Sequence, residues 1–315
     1  MSAPYRVVFM GTPAFAVPSL SALAASEEVT LVVTNPDRPS GRGQMLAPPP
    51  VKVEALRLGL PVFQPEKAKH PDSVARISAE APDLIVVVAY GHILPKSILD
   101  IPKFGCINVH ASLLPKYRGA APINWAVARG EEATGVTIMK MDVGMDTGPM
   151  LHVRETPIGA DDTAETLFPK LSLLGAEALI EALRKLHEGT LAETPQDDSQ
   201  ATYAPMLKKE HGRIDWSKPA CEVRNLIRGM TPWPSAYAFH EGKALKVLSA
   251  AVREDRFDPS GAPGEIVAVG RDGIVVACGE AALALGQVQP EGGRPMASWA
   301  YAQGRRVQKG DRLSP

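Results

Sequence analysis

Through the first 190 positions, short runs of apolar residues alternate with stretches in which apolar positions return every three or four residues. Residues 5–10 (YRVVFM) form a β-rich run that stops at Gly11-Thr12-Pro13, and residues 15–25 carry helical apolar spacing. That pattern predicts a strand, a turn and a helix. Further strands are predicted at 29–34, 83–89, 105–109 and 135–141, with a helix near 50–58. Over 160–188, Leu167, Leu171, Leu174, Leu179 and Leu183 recur at roughly helical spacing. Several of the strands are almost wholly apolar, as expected of strands buried on both faces of a parallel sheet. Residues 1–189 therefore read as one α/β domain with a doubly wound, Rossmann-like sheet.

The pattern changes after residue 189. Residues 190–208 are polar, contain prolines and have no period, and they read as an interdomain linker. Beyond them, short strand candidates at 236–240, 245–250, 264–269, 273–277 and 283–288 are separated by Gly, Pro and Asp clusters, which suits a small β-barrel over 209–315.

Composition narrows the class. With 315 residues, 45% hydrophobic and 22% charged, the chain has an ordinary folded composition. Its formal charge of -1 gives no global sign of a nucleic-acid or membrane-surface binder. Locally, 19 basic residues face 23 acidic ones up to position 208, and 15 face 12 beyond it, so the second domain is mildly basic. Cys106, Cys221 and Cys278 are far apart and form no C-x-x-C pair, which excludes a disulfide scaffold and a Cys-rich zinc module. The N-terminus lacks the form of a signal peptide, and no run approaches ~18 apolar residues. A cytoplasmic protein with no membrane contact is expected.

Two segments carry candidate chemistry. In residues 105–119 (GCINVHASLLPKYRG) a buried strand gives way to a polar, Pro-broken turn. Alternation puts Asn108 and His110 on one side of that strand, at the carboxyl end where open α/β sheets bind ligands. An Asn amide can donate to a developing oxyanion and a His can give or take a proton, so the pair has the parts of acyl-transfer chemistry. Spacing alone leaves open a second reading, a strand-end pair held by structural hydrogen bonds. In residues 141–149 (MDVGMDTGP), Gly144 and Gly148 permit a tight loop with two carboxylates. Asp146 is a candidate to hold His110 protonated and oriented; closing the turn through local hydrogen bonds is the alternative for both Asp142 and Asp146. G-x-S-x-G, Walker A and G-x-G-x-x-G motifs are absent, and neither His nor Cys stands at zinc-site spacing, so the set reads as metal-free.

The run NVHASLLPKYRGAAP (108–122) followed by DVGMDTGP (142–149) closely resembles the methionyl-tRNA formyltransferases. The resemblance extends to FMGTP (9–13), NPDRPSGRG (35–43) and ATYAP (201–205), and so spans almost the whole chain. It implies a first domain that holds 10-formyltetrahydrofolate in the sheet crevice and a second, an oligonucleotide-binding (OB-like) barrel that contacts initiator methionyl-tRNA. It also implies that Asn108, His110 and Asp146 are catalytic and that Ser112, Leu113, Leu114 and Pro115 touch the folate. Val88, Ala89, Tyr90 and Gly91 are weaker candidates to line the pterin site. The aperiodic, basic stretch 37–52 is expected to be an exposed loop that grips RNA, with Arg42 and Arg38 at the tRNA acceptor end. Lys208 and Lys209, with Arg213, Arg305, Arg306 and Lys309, are candidate phosphate contacts. A monomer is expected. The rival reading is a formyltransferase acting on a sugar-nucleotide amine or another small amine, and a noncatalytic RNA-binding protein with an old folate pocket is the alternative of a different class.

Overall fold

A computed structural model describes residues 3–40, 45–253, 261–271 and 273–315. The chain falls into two compact units, one made of residues 1–122, 133–157 and 168–204 and the other of 123–132, 158–167 and 205–315.

In the first unit, β1 (Arg6–Gly11), β2 (Glu28–Val33), β3 (Val62–Phe63), β4 (Leu84–Val88), β5 (Cys106–His110), β6 (Ala133–Lys140) and β7 (Met150–Pro157) form one sheet. Their order is β7-β6-β5-β4-β1-β2-β3. The crossovers carry α1 (Val17–Ser26), α2 (Pro50–Arg57), α3 (Pro71–Ser78) and α4 (Lys96–Leu99). The chain starts at β1, runs out to β3, then returns to β4 on the other side of β1. The sheet is therefore doubly wound, with its crevice where the order reverses.

Both faces are apolar because both are covered. Val8, Met10, Leu31, Val33, Ile85, Val87 and Cys106 form a core with Ile77 of α3 and Ile98 of α4. The alternate residues Phe9, Val32, Val86 and Val109 point the other way and are also buried. The long helix Ala164–His187 comes close on that second face: a Cβ at Gly175 would stand 2.9 Å from Val109 Cγ1.

The sheet departs from an all-parallel one. Five strands are parallel, but β6 is antiparallel to β5 and β7 antiparallel to β6. The strand expected at 135–141 is β6, and its apolar run is that of a buried strand in either direction, so periodicity carried no information on polarity. Edge strand β7 was missed because its polar and charged residues break the apolar signal. The expected 37–52 loop is also partly ordered: Arg38–Ser40 pairs with Met45–Ala47 as an antiparallel hairpin, and α2 begins at Pro50.

Residues 190–204 are not a connector between the units. Thr194 bridges to Met150, and Tyr203–Ala204 pairs in parallel with Arg118–Gly119. Their lack of period reflects isolated polar contacts, which no periodic pattern announces.

The second unit holds two antiparallel sheets. One contains Ala236–His240, Lys243–Val247 and Gln287–Pro290, flanked by Leu313–Ser314 and Met296–Ala297. The other contains Ala250–Arg253, Ala282–Leu285, Gly273–Ala277 and Ile266–Gly270. Each of the strands expected at 245–250 and 283–288 is two strands, because the chain changes sheet at Ser249 and Gly286. There Gly286 N donates to Ser249 O and Gln287 N to Ser249 Oγ. A shared core of Ile214, Trp216, Val223, Ile227, Leu245, Val276 and Leu283 joins both sheets to the helix Ala220–Gly229.

Among the described residues, no helix is long and apolar enough to cross a membrane. Burial pushes the thiols of Cys106 and Cys278 up to about 12, whereas Cys221 is exposed. Because the thiolate is the reactive form, iodoacetamide at pH 8 is expected to label Cys221 alone in the folded protein and all three cysteines in urea. Peptide mass mapping would read this, and native labelling of Cys106 would contradict the packing described.

Candidate active site

β5 ends in the site. Its register places Asn108 opposite Val87 of β4 and Met139 of β6, and His110 opposite Thr137 of β6. Asn108 and His110 share a face, about 6.6 Å apart along the strand at the usual rise. Asn108 is partly exposed, and among the described residues its amide has no hydrogen-bond partner. His110 is buried.

The two ring nitrogens of His110 have different tasks. Nε2 lies 3.0 Å from Tyr117 O; a carbonyl only accepts, so Nε2 carries the proton. Nδ1 lies 3.7 Å from Asp146 Oδ2, too far for a hydrogen bond but close enough for an ion pair with the imidazolium. A proton gained by the ring therefore resides on Nδ1, beside the carboxylate.

Asp146 arrives there because the loop after β6 turns back. Lys140 ends β6 opposite Ile107, and by residue 146 the chain has returned to the level of His110. Two features hold the turn. Gly148 packs on the end of β6 so tightly that a Cβ would stand 1.9 Å from Lys140 O. Asp142 accepts hydrogen bonds from Gly144 N (2.9 Å) and Thr147 Oγ1 (2.7 Å), and so closes the turn. Asp146 itself has left-handed backbone (φ 54°), and its Oδ2 accepts from Gly119 N at 2.7 Å. Gly119 is required for that contact: its φ is 117°, and a Cβ there would meet Ala204 O at 2.8 Å.

The turn after His110 is fixed from inside. Thr137 Oγ1 donates to Ser112 O and accepts from Leu114 N, and Ser112 Oγ donates to Lys116 O. The Leu114–Pro115 peptide is cis. Ser112 and Leu114 are buried, while Leu113 and Pro115 are partly exposed. Ala89 and Gly91, just past β4, have left-handed backbone and are exposed. The Tyr90 ring between them is packed into the core, and with it Val88 is fully buried. Burial pushes the Tyr90 phenol up to about 12. Tyr90 therefore offers the crevice backbone and not its ring.

The basic candidates separate. Arg38 is exposed at the hairpin, and Arg42 lies outside the described residues. Lys52 is engaged, its Nζ 2.7 Å from Asp37 Oδ2. Gln64 and Lys52 together hold the Asp37 carboxyl below the usual carboxylate range. In the second unit Lys208 and Lys209 are exposed, with Lys208 Nζ 3.7 Å from Glu210.

Pattern reading did not single out Thr137, Arg118 or Gln196. Arg118 is 3% exposed, and its guanidinium binds Gln196 Oε1 and Asp198 Oδ1. A buried arginine in a turn leaves no periodic signal. Chemically, the site combines an amide donor with no partner among the described residues and a histidine protonatable toward a fixed carboxylate. Those parts suit stabilisation of a tetrahedral oxyanion and movement of one proton.

The formyl transferase family pattern matches residues 5–183, and that of the formyl transferase C-terminal domain matches residues 206–306. A methionyl-tRNA formyltransferase of Citrifermentans bemidjiense is 54% identical over 309 residues, covering 98% of this chain and 96% of that protein. One from Geobacter sulfurreducens is 53% identical with the same two coverages. Among solved structures, an N-formyltransferase from Helicobacter canadensis, in complex with folinic acid and dTDP-3-aminofucose, matches with a TM-score of 0.64 over 89% of this chain and 99% of that one. At 18% identity it speaks for the fold alone. With both halves matched in order and relatives aligned at more than half identity along nearly the entire length, the chain belongs to the methionyl-tRNA formyltransferase family.

Proposed function

We propose that this protein transfers the formyl group of 10-formyltetrahydrofolate to the α-amino group of methionyl initiator tRNA, the step that prepares it for translation initiation. The observation that carries the chemical reading is the arrangement of His110 between Tyr117 O and Asp146, beside the free amide of Asn108.

The neutral amine adds to the formyl carbon. The carbonyl oxygen becomes an oxyanion, which the Asn108 amide stabilises by a hydrogen bond and the protonated His110 ring, its nitrogens turned to Tyr117 O and Asp146, supports through space. Asp146 sustains the charge on His110. Collapse of the intermediate breaks the bond from the formyl carbon to folate N10, which takes up a proton, while the former amine loses one. Asp146 and His110 assist that transfer. The 112–115 turn, and more weakly the backbone of residues 88–91, provide the walls for the folate. The first unit is the catalytic, folate-binding part and the strand-rich second unit the tRNA-binding part, with Lys208 and Lys209 as phosphate contacts. The enzyme works as a monomer in the cytoplasm, and its reacting set includes no metal.

A formylation assay comparing charged initiator tRNA with a sugar-nucleotide amine and with glycinamide ribonucleotide tests the acceptor. Transfer to the tRNA alone is expected, and preference for a small amine would overturn the assignment. We also assign Arg42, with Arg38, to the acceptor end of the tRNA. Arg42→Ala is expected to raise KM for the tRNA by at least about tenfold, on the scale of a lost charged contact, with formyl-donor binding unchanged. Equal loss of both in tRNA titrations and donor-binding measurements would refute that division.

A further inference from the structure

We infer that Gln196 is a positioning residue: its amide holds the backbone of Asp146 in the one conformation that brings the carboxylate to His110, and buried Arg118 sets the direction of that amide. The inference rests on the catalytic reading of Asp146 above.

Gln196 Nε2 donates to two carbonyls, Asp146 O at 2.8 Å and Gly148 O at 2.7 Å. Its Oε1 accepts from Arg118 Nε at 3.1 Å and from a terminal guanidinium nitrogen of Arg118 at 2.8 Å. Only one orientation of the amide satisfies all four contacts, since carbonyls cannot donate and guanidinium cannot accept. Arg118 is itself fixed: its Nη2 also binds Asp198 Oδ1 at 2.7 Å, and its backbone N donates to Thr202 O.

The clamp acts where the loop is least able to hold itself. Asp146 sits in the left-handed region, which residues with a side chain adopt uncommonly. Gln196 ties the first and third residues of the Asp146-Thr147-Gly148 turn to one point, and Gly119 N then fixes the carboxylate itself. Backbone and side chain are thus anchored separately, from residues 50 and 27 positions away in sequence. The segment 194–204 supplies this support, along with the bridge from Thr194 to Met150 and the Thr202 hydroxyl that accepts from Tyr117 N.

Gln196→Glu tests the idea at nearly constant shape. It keeps an acceptor for Arg118 but has no hydrogen for either carbonyl. Gln196→Met removes the donors without adding charge. A displacement near 1 Å in a reacting group costs up to about 100-fold, so each variant is expected to lower single-turnover formyl transfer by about 10- to 100-fold, with half-saturation by donor and by tRNA unchanged within about twofold. In an Asp146→Asn background the same substitutions are expected to lower the remaining rate by less than about twofold, because residues acting as one unit are not additive. Equal losses in both backgrounds, or a changed KM with unchanged kcat, would overturn the inference. If Asp146→Asn alone leaves the rate intact, the catalytic reading of Asp146 fails instead, a result distinct from additivity. Circular dichroism checks folding; where Gln196→Glu is unfolded, the comparison is read from Gln196→Met.

Discussion

Asn108→Ala is expected to slow formyl transfer by about 100–1000-fold, the usual cost of removing one oxyanion donor. The side chain is suited to that role by what it lacks. It is the one partly exposed residue in the middle of a strand otherwise buried, and among the described residues its amide is spent on no structural hydrogen bond. Truncation therefore breaks nothing in the fold, and the variant is expected to melt within a few degrees of the parent. The loss should fall on kcat, because the oxyanion exists only after the amine has added, while affinity for the formyl donor stays within about twofold. Rapid-quench single turnovers with charged initiator tRNA measure the first quantity and equilibrium titration of the donor the second. A rate within about fivefold of the parent would remove Asn108 from the chemistry.

The largest stability effect is expected in the second unit. Trp216 is 1% exposed at the centre of the core shared by both sheets, against Gly264, whose missing side chain makes room for the indole. A Cβ at Gly264 would stand 3.2 Å from Trp216 Cδ1. Trp216→Ala leaves a void that the rigid sheets cannot close, and large-to-small changes of this kind cost about 3–5 kcal/mol. The transition that reports the second unit in calorimetry should fall by more than about 10 °C, given a few degrees per kcal/mol for a domain of this size. Trp216→Phe should cost much less. Among the described residues the indole Nε1 has no hydrogen-bond partner, so Phe removes an unsatisfied polar group while keeping most of the volume. If Ala and Phe were equally tolerated, the core would not be organised around this ring.

The alternation of apolar runs was enough to find the α/β character of the first unit, five strands of its sheet and the catalytic candidates at the end of β5. Each is a local property: burial on both faces demands continuous apolar residues, and strand periodicity fixes that Asn108 and His110 point the same way. The proximity of Asp146 to His110 was a guess from sequence, because reach across a loop depends on the path of the chain. The direction of β6 was hidden for a related reason, since a buried strand has the same composition either way.

The sequence by itself determined the kinship of this chain, its two-part organisation and the residue types at its crevice, because motif spelling and hydrophobic period survive without coordinates. Tertiary structure alone decided which nitrogen of His110 faces the carboxylate, that the Tyr90 ring belongs to the core, and that residues 190–204 pack with the first unit, where Gln196 binds the backbone of the Asp146 loop. All three depend on single polar or packing contacts between segments distant in sequence, and such contacts impose no period on the residues that make them.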